Sequence, residues 1–335
     1  MDILYEKLTP RICSRIISAI IALTVTFAGF KGYELIKIKK NTEGGTDAKG
    51  EGGGETVEVG TAPEENKGNS EKVFSEENAV TVSGEINAEA VIICNMSGLQ
   101  IIAEKEKKKV ISCGELAVFA TALLTSRAID SGRISETEYA VCPANAQKKP
   151  NYSASSGVFS VGEKMTVKDI LRCMLYQRGS SYAYTLAVHI SGSEESFVSE
   201  LNTLSAELKM TETAFTNVCG LDDGVAKTTA YDMAILMKHF LSDGRLKGLF
   251  SSMERLTVGE GFGSVYLTVA NDFFVSSCTE SQAKADGILG GKIGIHVSGG
   301  WSAVLFSRGE SEYLVITLGS PSPYSETLKL CASYL

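Results

Sequence analysis

No two cysteines in the sequence stand at C-x-x-C spacing, and none of its three histidines lies at ligand distance from one. That pattern excludes a zinc site, and no metal or cofactor is expected. The eight cysteines, Cys13, Cys94, Cys113, Cys142, Cys173, Cys219, Cys278 and Cys331, are scattered, mostly within apolar runs, where buried free thiols belong. Their even number leaves disulfides open if the protein is exported. Clustered positive charge is also missing. The net charge is −8, and the one basic run, Lys105 to Lys109, is broken by Glu106, so it reads as a solvated turn. Phosphate binding needs grouped Lys and Arg, and nucleic acid is therefore not expected as a partner. The apolar stretch near the N-terminus, Ile16 to Phe30, has fifteen residues, short of the ~20 that a spanning helix wants.

That stretch nevertheless follows Lys7, Arg11 and Arg15, which together give the charged and apolar regions of an export signal. Residues 1–40 are expected to export the chain, remaining as a membrane anchor or being cleaved near Thr26-Phe27-Ala28. Lys31, Lys37, Lys39 and Lys40 follow directly, so the distribution of positive charge leaves orientation open. A buried helix of a soluble protein is the competing reading. Residues 41–79 are rich in Gly, Glu, Thr, Lys and Asn and cannot bury enough apolar surface to offset ordering, which predicts a flexible acidic linker. The folded domain is expected over 80–335, in a chain whose 44% hydrophobic content supports a sizeable core.

Within that domain, Ala90 to Cys94 and Leu99 to Ile102 flank a turn and predict a β-hairpin. Helical periodicity runs through Glu115–Ala128, Val167–Leu175, Ala183–Ile190, Glu195–Leu208 and Thr229–Leu241. Strands return at Trp301–Phe306 and Tyr313–Leu318, before a short final helix. The predicted class is α+β, with an antiparallel sheet built from N- and C-terminal strands around a helical subdomain.

Five segments in order carry a family resemblance. They are Val110-Ile111-Ser112, Val161 to Leu171 (VGEKMTVKDIL), Ala187 to Val198, Asn217 to Gly224 (NVCGLDDG) and Thr229 to Ala234 (TAYDMA). Together they resemble the low-molecular-mass penicillin-binding, serine-type D-Ala-D-Ala carboxypeptidases, which share the β-lactamase fold. The resemblance implies three catalytic motifs, S-x-x-K, S-x-N and K-T-G. In the family the serine attacks the peptide carbonyl and the lysine one turn later takes its proton. The second motif relays protons and holds the substrate amide, and the third binds the substrate carboxylate.

Here the first motif reads Ser112-Cys113-Gly114-Glu115, keeping the nucleophile position but exchanging the lysine for Glu115. The second aligns with Arg178-Gly179-Ser180, and the third with Lys292-Ile293-Gly294. Other readings of these residues stay open. Ser112 and Glu115 have the spacing of a helix capping box, and Glu115 is also a residue type able to act as a general base. Arg178 suits an exposed loop or an ion-paired cluster with Glu115 and Lys292 filling the cleft. Lys292 also reads as a solvated strand lysine. His189 and His239 lie in helical stretches and match no catalytic position of the family, while His296 follows the K-I-G segment and would line the cleft rim. The expected function is an impaired carboxypeptidase-like domain at the outer face of a bacterial cell membrane. Its partner would be a peptidoglycan stem peptide or another envelope protein, and its membrane attachment the N-terminal segment, since the family's C-terminal β-domain has no counterpart after Lys292. The alternative is an active carboxypeptidase with Ser112 as nucleophile.

Overall fold

The computed structural model describes residues 73–148, 159–177, 180–220, 223–258, 267–294 and 299–335. All of them belong to one compact unit, Gly68–Leu335. The segment Ile16–Phe30 and Cys13 lie outside the described residues. No helix among those described is long and apolar enough to cross a membrane.

The strand β1 is Val80–Thr81, and the predicted hairpin is β2 (Ala90–Asn95) and β3 (Gln100–Lys105). Three short pieces follow in the middle of the chain, β4 (Ile111–Ser112), β5 (Tyr139–Val141) and β6 (Lys164–Thr166), then β7 (Lys227–Thr228), β8 (Leu256–Val258) and β9 (Leu267–Val269). The C-terminal strands are β10 (Ile288–Gly294), β11 (Gly300–Arg308) and β12 (Ser311–Ser320). The main sheet runs β1-β3-β2-β12-β11-β10, antiparallel throughout except for the β1–β3 pair. N- and C-terminal strands join where Ile92 pairs Ile316, as the sequence predicts. β2 is apolar without interruption and its first five residues are buried, the pattern of a central strand covered on both faces. Its alternate residues divide between two cores: Ala90, Ile92 and Cys94 face one, Val91 and Ile93 the other.

The first core lies under the helical subdomain. Its helices are α1 (Ala117–Asp130), α2 (Val167–Tyr176), α3 (Ser180–Ser191), α4 (Glu194–Glu207), α5 (Ala230–Ser242) and α6 (Gly244–Ser251). α1 is central, and its Phe119 ring meets Phe240 at 5.3 Å and Phe250 and Trp301 at 6.0 Å, all edge-on. α7 (Glu280–Asp286) and α8 (Pro323–Tyr334) follow, and Ala283 of α7 and Leu330 and Cys331 of α8 enter the second core. Five long helices match the expected periodic segments. α6, α7 and the short strands do not emerge from periodicity, because eight residues or fewer sample too little of a repeat.

No two of the seven described cysteines form a disulfide with each other, in keeping with the thiol reading of their apolar surroundings. Burial pushes the thiols of Cys113 and Cys173 up to about 12, which keeps them protonated and unreactive.

Candidate functional site

β4 places Ser112 at the end of a two-residue strand that pairs with β7, Ser112 opposite Lys227. Beyond it, the Cys113 amide donates to the Ala226 carbonyl at 3.1 Å. The chain then turns through Gly114, at φ +50°, into a 3-10 turn of Gly114–Leu116 that leads directly into α1. Neither start carries a side-chain cap: Cys113 and Leu116, the two capping positions, accept no such bond. The capping box suggested by Ser112 and Glu115 is therefore not formed. Its serine is extended strand one residue too early, and its glutamate already lies inside the 3-10 turn. Glu115 is partly buried, and its Oε2 atom is buried with no hydrogen-bond partner.

Against this turn lies the loop preceding β7. Gly220 has φ +72°, and a Cβ there would fall 1.8 Å from the Gly114 carbonyl oxygen and 2.5 Å from Glu115 Cα. Only glycine permits that approach. The neighbouring Cys219 thiol donates to the Ser180 carbonyl at 3.3 Å, and the buried Thr121 hydroxyl of α1 donates to the Val218 carbonyl at 3.0 Å. Asp223 closes the loop: its carboxylate accepts from the Thr216 hydroxyl and, at 2.9 Å each, from the Val225 and Ala226 amides. Those donors, the Thr216 hydroxyl foremost, hold its pKa at about 2.

Ser180 is the first residue of α3. It is 8% exposed, and its hydroxyl, like the Glu115 oxygen, is buried without a partner. Arg178, Gly179 and His296 lie outside the described residues. Lys292 sits on the edge strand β10 opposite Ala303 and is 7% exposed, which overturns the solvated-lysine reading. Its ammonium donates to the carbonyls of Leu175 at 2.9 Å and Gln177 at 3.3 Å, at the C-terminal end of α2 where a cation suits the helix dipole. The ion-paired cluster of Glu115, Arg178 and Lys292 turns on Arg178, which lies outside the described residues. Ile293 points to the opposite face and packs into the second core. Gly294 faces Trp301, and a Cβ there would lie 2.1 Å from the indole nitrogen, so the ring occupies the space a side chain would need.

Contacts thus gather the three motif segments. Glu115 touches Gly220, Cys219 next to it holds Ser180, and Lys292 is bonded to Gln177, three residues before Ser180. Two of the histidines stand elsewhere: His189 pairs with Glu138 at 2.6 Å, and burial lowers the pKa of His239 in α5. The roles of Cys219 and Asp223 were missed in the sequence reading, although both belong to the NVCGLDDG segment that signalled the resemblance. No group of His, Cys, Asp and Glu among the described residues is arranged to hold a metal.

Residues 73–258, more than half of the chain, match the family described as D-alanyl-D-alanine carboxypeptidase. The chain belongs to that family. Among curated carboxypeptidases, DacF of Bacillus subtilis is 30% identical over 152 residues, 45% of this chain and 38% of that protein. DacD of Escherichia coli is 28% identical over 157 residues, 46% of this chain and 40% of that protein. The matched stretch thus spans about two fifths of these carboxypeptidases. The fold is that of penicillin-binding DD-peptidases. Penicillin binding protein 6B of Escherichia coli superposes with a TM-score of 0.64 at 21% identity, covering 76% of this chain and 78% of its own. A D-alanyl-D-alanine carboxypeptidase of Mycobacterium tuberculosis gives 0.63 at 18% identity, covering 78% and 96%.

Proposed function

We propose that this carboxypeptidase-family domain has lost acyl transfer and acts in the bacterial envelope by binding. Peptidoglycan stem peptides, or another envelope protein, are its partners. Residues 1–40 and the acidic linker hold it at the outer face of the membrane. The observation that carries this reading is Glu115. A serine nucleophile needs an acceptor for its proton and positive charge or donors for the developing oxyanion. At the position one turn beyond Ser112, where the family places a lysine, the chain has a carboxyl oxygen that is buried and unpartnered. Negative charge there opposes the charge that attack would build. Two further features agree. The hydroxyl that the third motif would contribute is replaced by Ile293, packed away in the second core. The second motif has a serine at its third position, Ser180, in place of the amide that holds substrate.

Penicillin acylation tests the proposal, since it requires only a competent nucleophile and oxyanion site. The purified full chain, incubated with a fluorescent penicillin and run on a denaturing gel, is expected to carry no covalent label. Label that disappears in Ser112→Ala would overturn the proposal and establish the active carboxypeptidase reading with Ser112 as nucleophile.

A further inference from the structure

A cavity of about 260 Å³ lies between the C-terminal part of α1, the first turns of α2 and the middle of α6. Ile129 in its wall is about 18 Å along α1 from Ala117, at ~1.5 Å per residue, so the cavity stands at the other end of that helix from the Ser112 turn. Its apolar lining is the buried Leu171 with the half-buried Ile129 and Leu249. Its charged lining is Lys168, Arg172, Arg245 and Glu136, three cations and one acid. Arg245 is engaged, by Asp130 at 3.1 Å and by Glu136 at 3.5 Å, so the one acid is charge-paired. Asp169 takes one nitrogen of Arg172 at 3.1 Å, and the other donors of that guanidinium have no partner among the described residues. The exposed Lys168 ammonium has none at all among them. Lys168 and Arg172 stand one turn apart on α2, a spacing at which like charges weaken a helix, and Lys168 is in the first turn, where the dipole disfavours a cation. Gly248 also works against its helix, since glycine inside a helix is less stable than alanine. Its φ lies outside the left-handed region and a Cβ there would meet nothing within 4 Å, so neither backbone nor packing requires glycine; its effect is to leave the cavity open.

We propose that this cavity binds a small monocarboxylate with an apolar body. The carboxylate meets Lys168 and the open donors of Arg172, and the body lies against Leu171, Ile129 and Leu249. Two oxygens can accept from both cations at once, which relieves their repulsion. An amine would add positive charge to a lining that already has a surplus of it, and an inorganic anion would leave the apolar wall without a partner. The volume falls below the ~300–1,000 Å³ of a site for a drug-sized molecule, which limits the body to a single ring or a short chain. The site is separate from the cleft and goes beyond the binding function proposed there.

The test is ligand-observed NMR titration of the full chain with phenylacetate, with the neutral phenylacetamide and with acetate. Phenylacetate is expected to bind about fivefold more tightly than phenylacetamide, the effect of a partly exposed charge pair. It should bind about tenfold more tightly than acetate, which has no ring to bury. Lys168→Met keeps the apolar stem and removes the ammonium; it should bring phenylacetate to within about twofold of phenylacetamide without lowering the melting temperature. Lys284→Met, on α7, should leave the preference unchanged. No binding of phenylacetate, equal affinity for phenylacetamide or for acetate, or the same loss in both lysine variants overturns the inference. Penicillin labelling reads Ser112 alone, so failure of this site and failure of the reading of the cleft are distinguishable.

Discussion

Two glutamates with carboxyl oxygens buried on opposite faces of the sheet are treated in opposite ways. Glu326 of α8 is 2% exposed, and every donor around it converges: the amides of Asn87 and Ala88 at 2.6 and 3.0 Å and the Ser320 hydroxyl at 2.6 Å. Glu115 has a buried oxygen that nothing serves. The helix starts repeat the contrast. Thr166, Ser193, Thr229, Asp243 and Thr279 each cap a helix through their side chains, while the turn after Ser112 enters α1 with no cap at all. Five helix starts and Glu326 are thus satisfied within the chain, whereas Tyr176, Thr185 and Ser251 keep a buried hydroxyl without a partner, as Glu115 and Ser180 keep an oxygen.

The largest expected effect comes from breaking the well-served side. Glu326→Ala strips the acceptor from two backbone amides and a buried hydroxyl, and should lower unfolding free energy by about 3 kcal/mol, read by urea denaturation. If its cost equals that of Glu115→Gln, which should be near zero, the contrast between the two glutamates fails. Gly220→Ala comes next. The left-handed backbone and the contact with the Gly114 carbonyl should together cost about 2 kcal/mol and disturb the nucleophile turn. Unchanged stability would mean that the loop and turn are not in contact as described.

The smallest effect is a pH dependence. Asp223 is held at about 2 against an ordinary value of 3.8. Because the folded value is the lower one, its contribution is present above about pH 3.8 and lost as pH falls through about 2. The group is exposed, so screening limits the contribution to under ~1 kcal/mol. Asp223→Asn should flatten that part of the acid-unfolding profile, and an identical profile would remove Asp223 as the strut of the loop.

Much of the scaffold was legible in the sequence because local signals agreed with the global fold. The apolar run of β2, the strands over Trp301–Phe306 and Tyr313–Leu318 and the periodicity of five helices all reappear. The cleft was legible only as a set of motif positions. Ser112 and Glu115 match a capping box letter for letter, yet Gly114 inserts a left-handed residue and a 3-10 turn between strand and helix. Spacing alone carries no such information. Lys292 read equally well as a solvated lysine, since nothing near it in sequence reveals the Leu175 and Gln177 carbonyls more than a hundred residues away.

By itself, then, the sequence determined the α+β class, the joining of N- and C-terminal strands and the family, because these rest on periodicity and on ordered motifs that act locally. Tertiary structure alone decided which polar atoms find partners. Satisfaction of a buried group depends on donors brought from distant segments, as with Glu326 and Lys292, or withheld, as with Glu115 and Ser180.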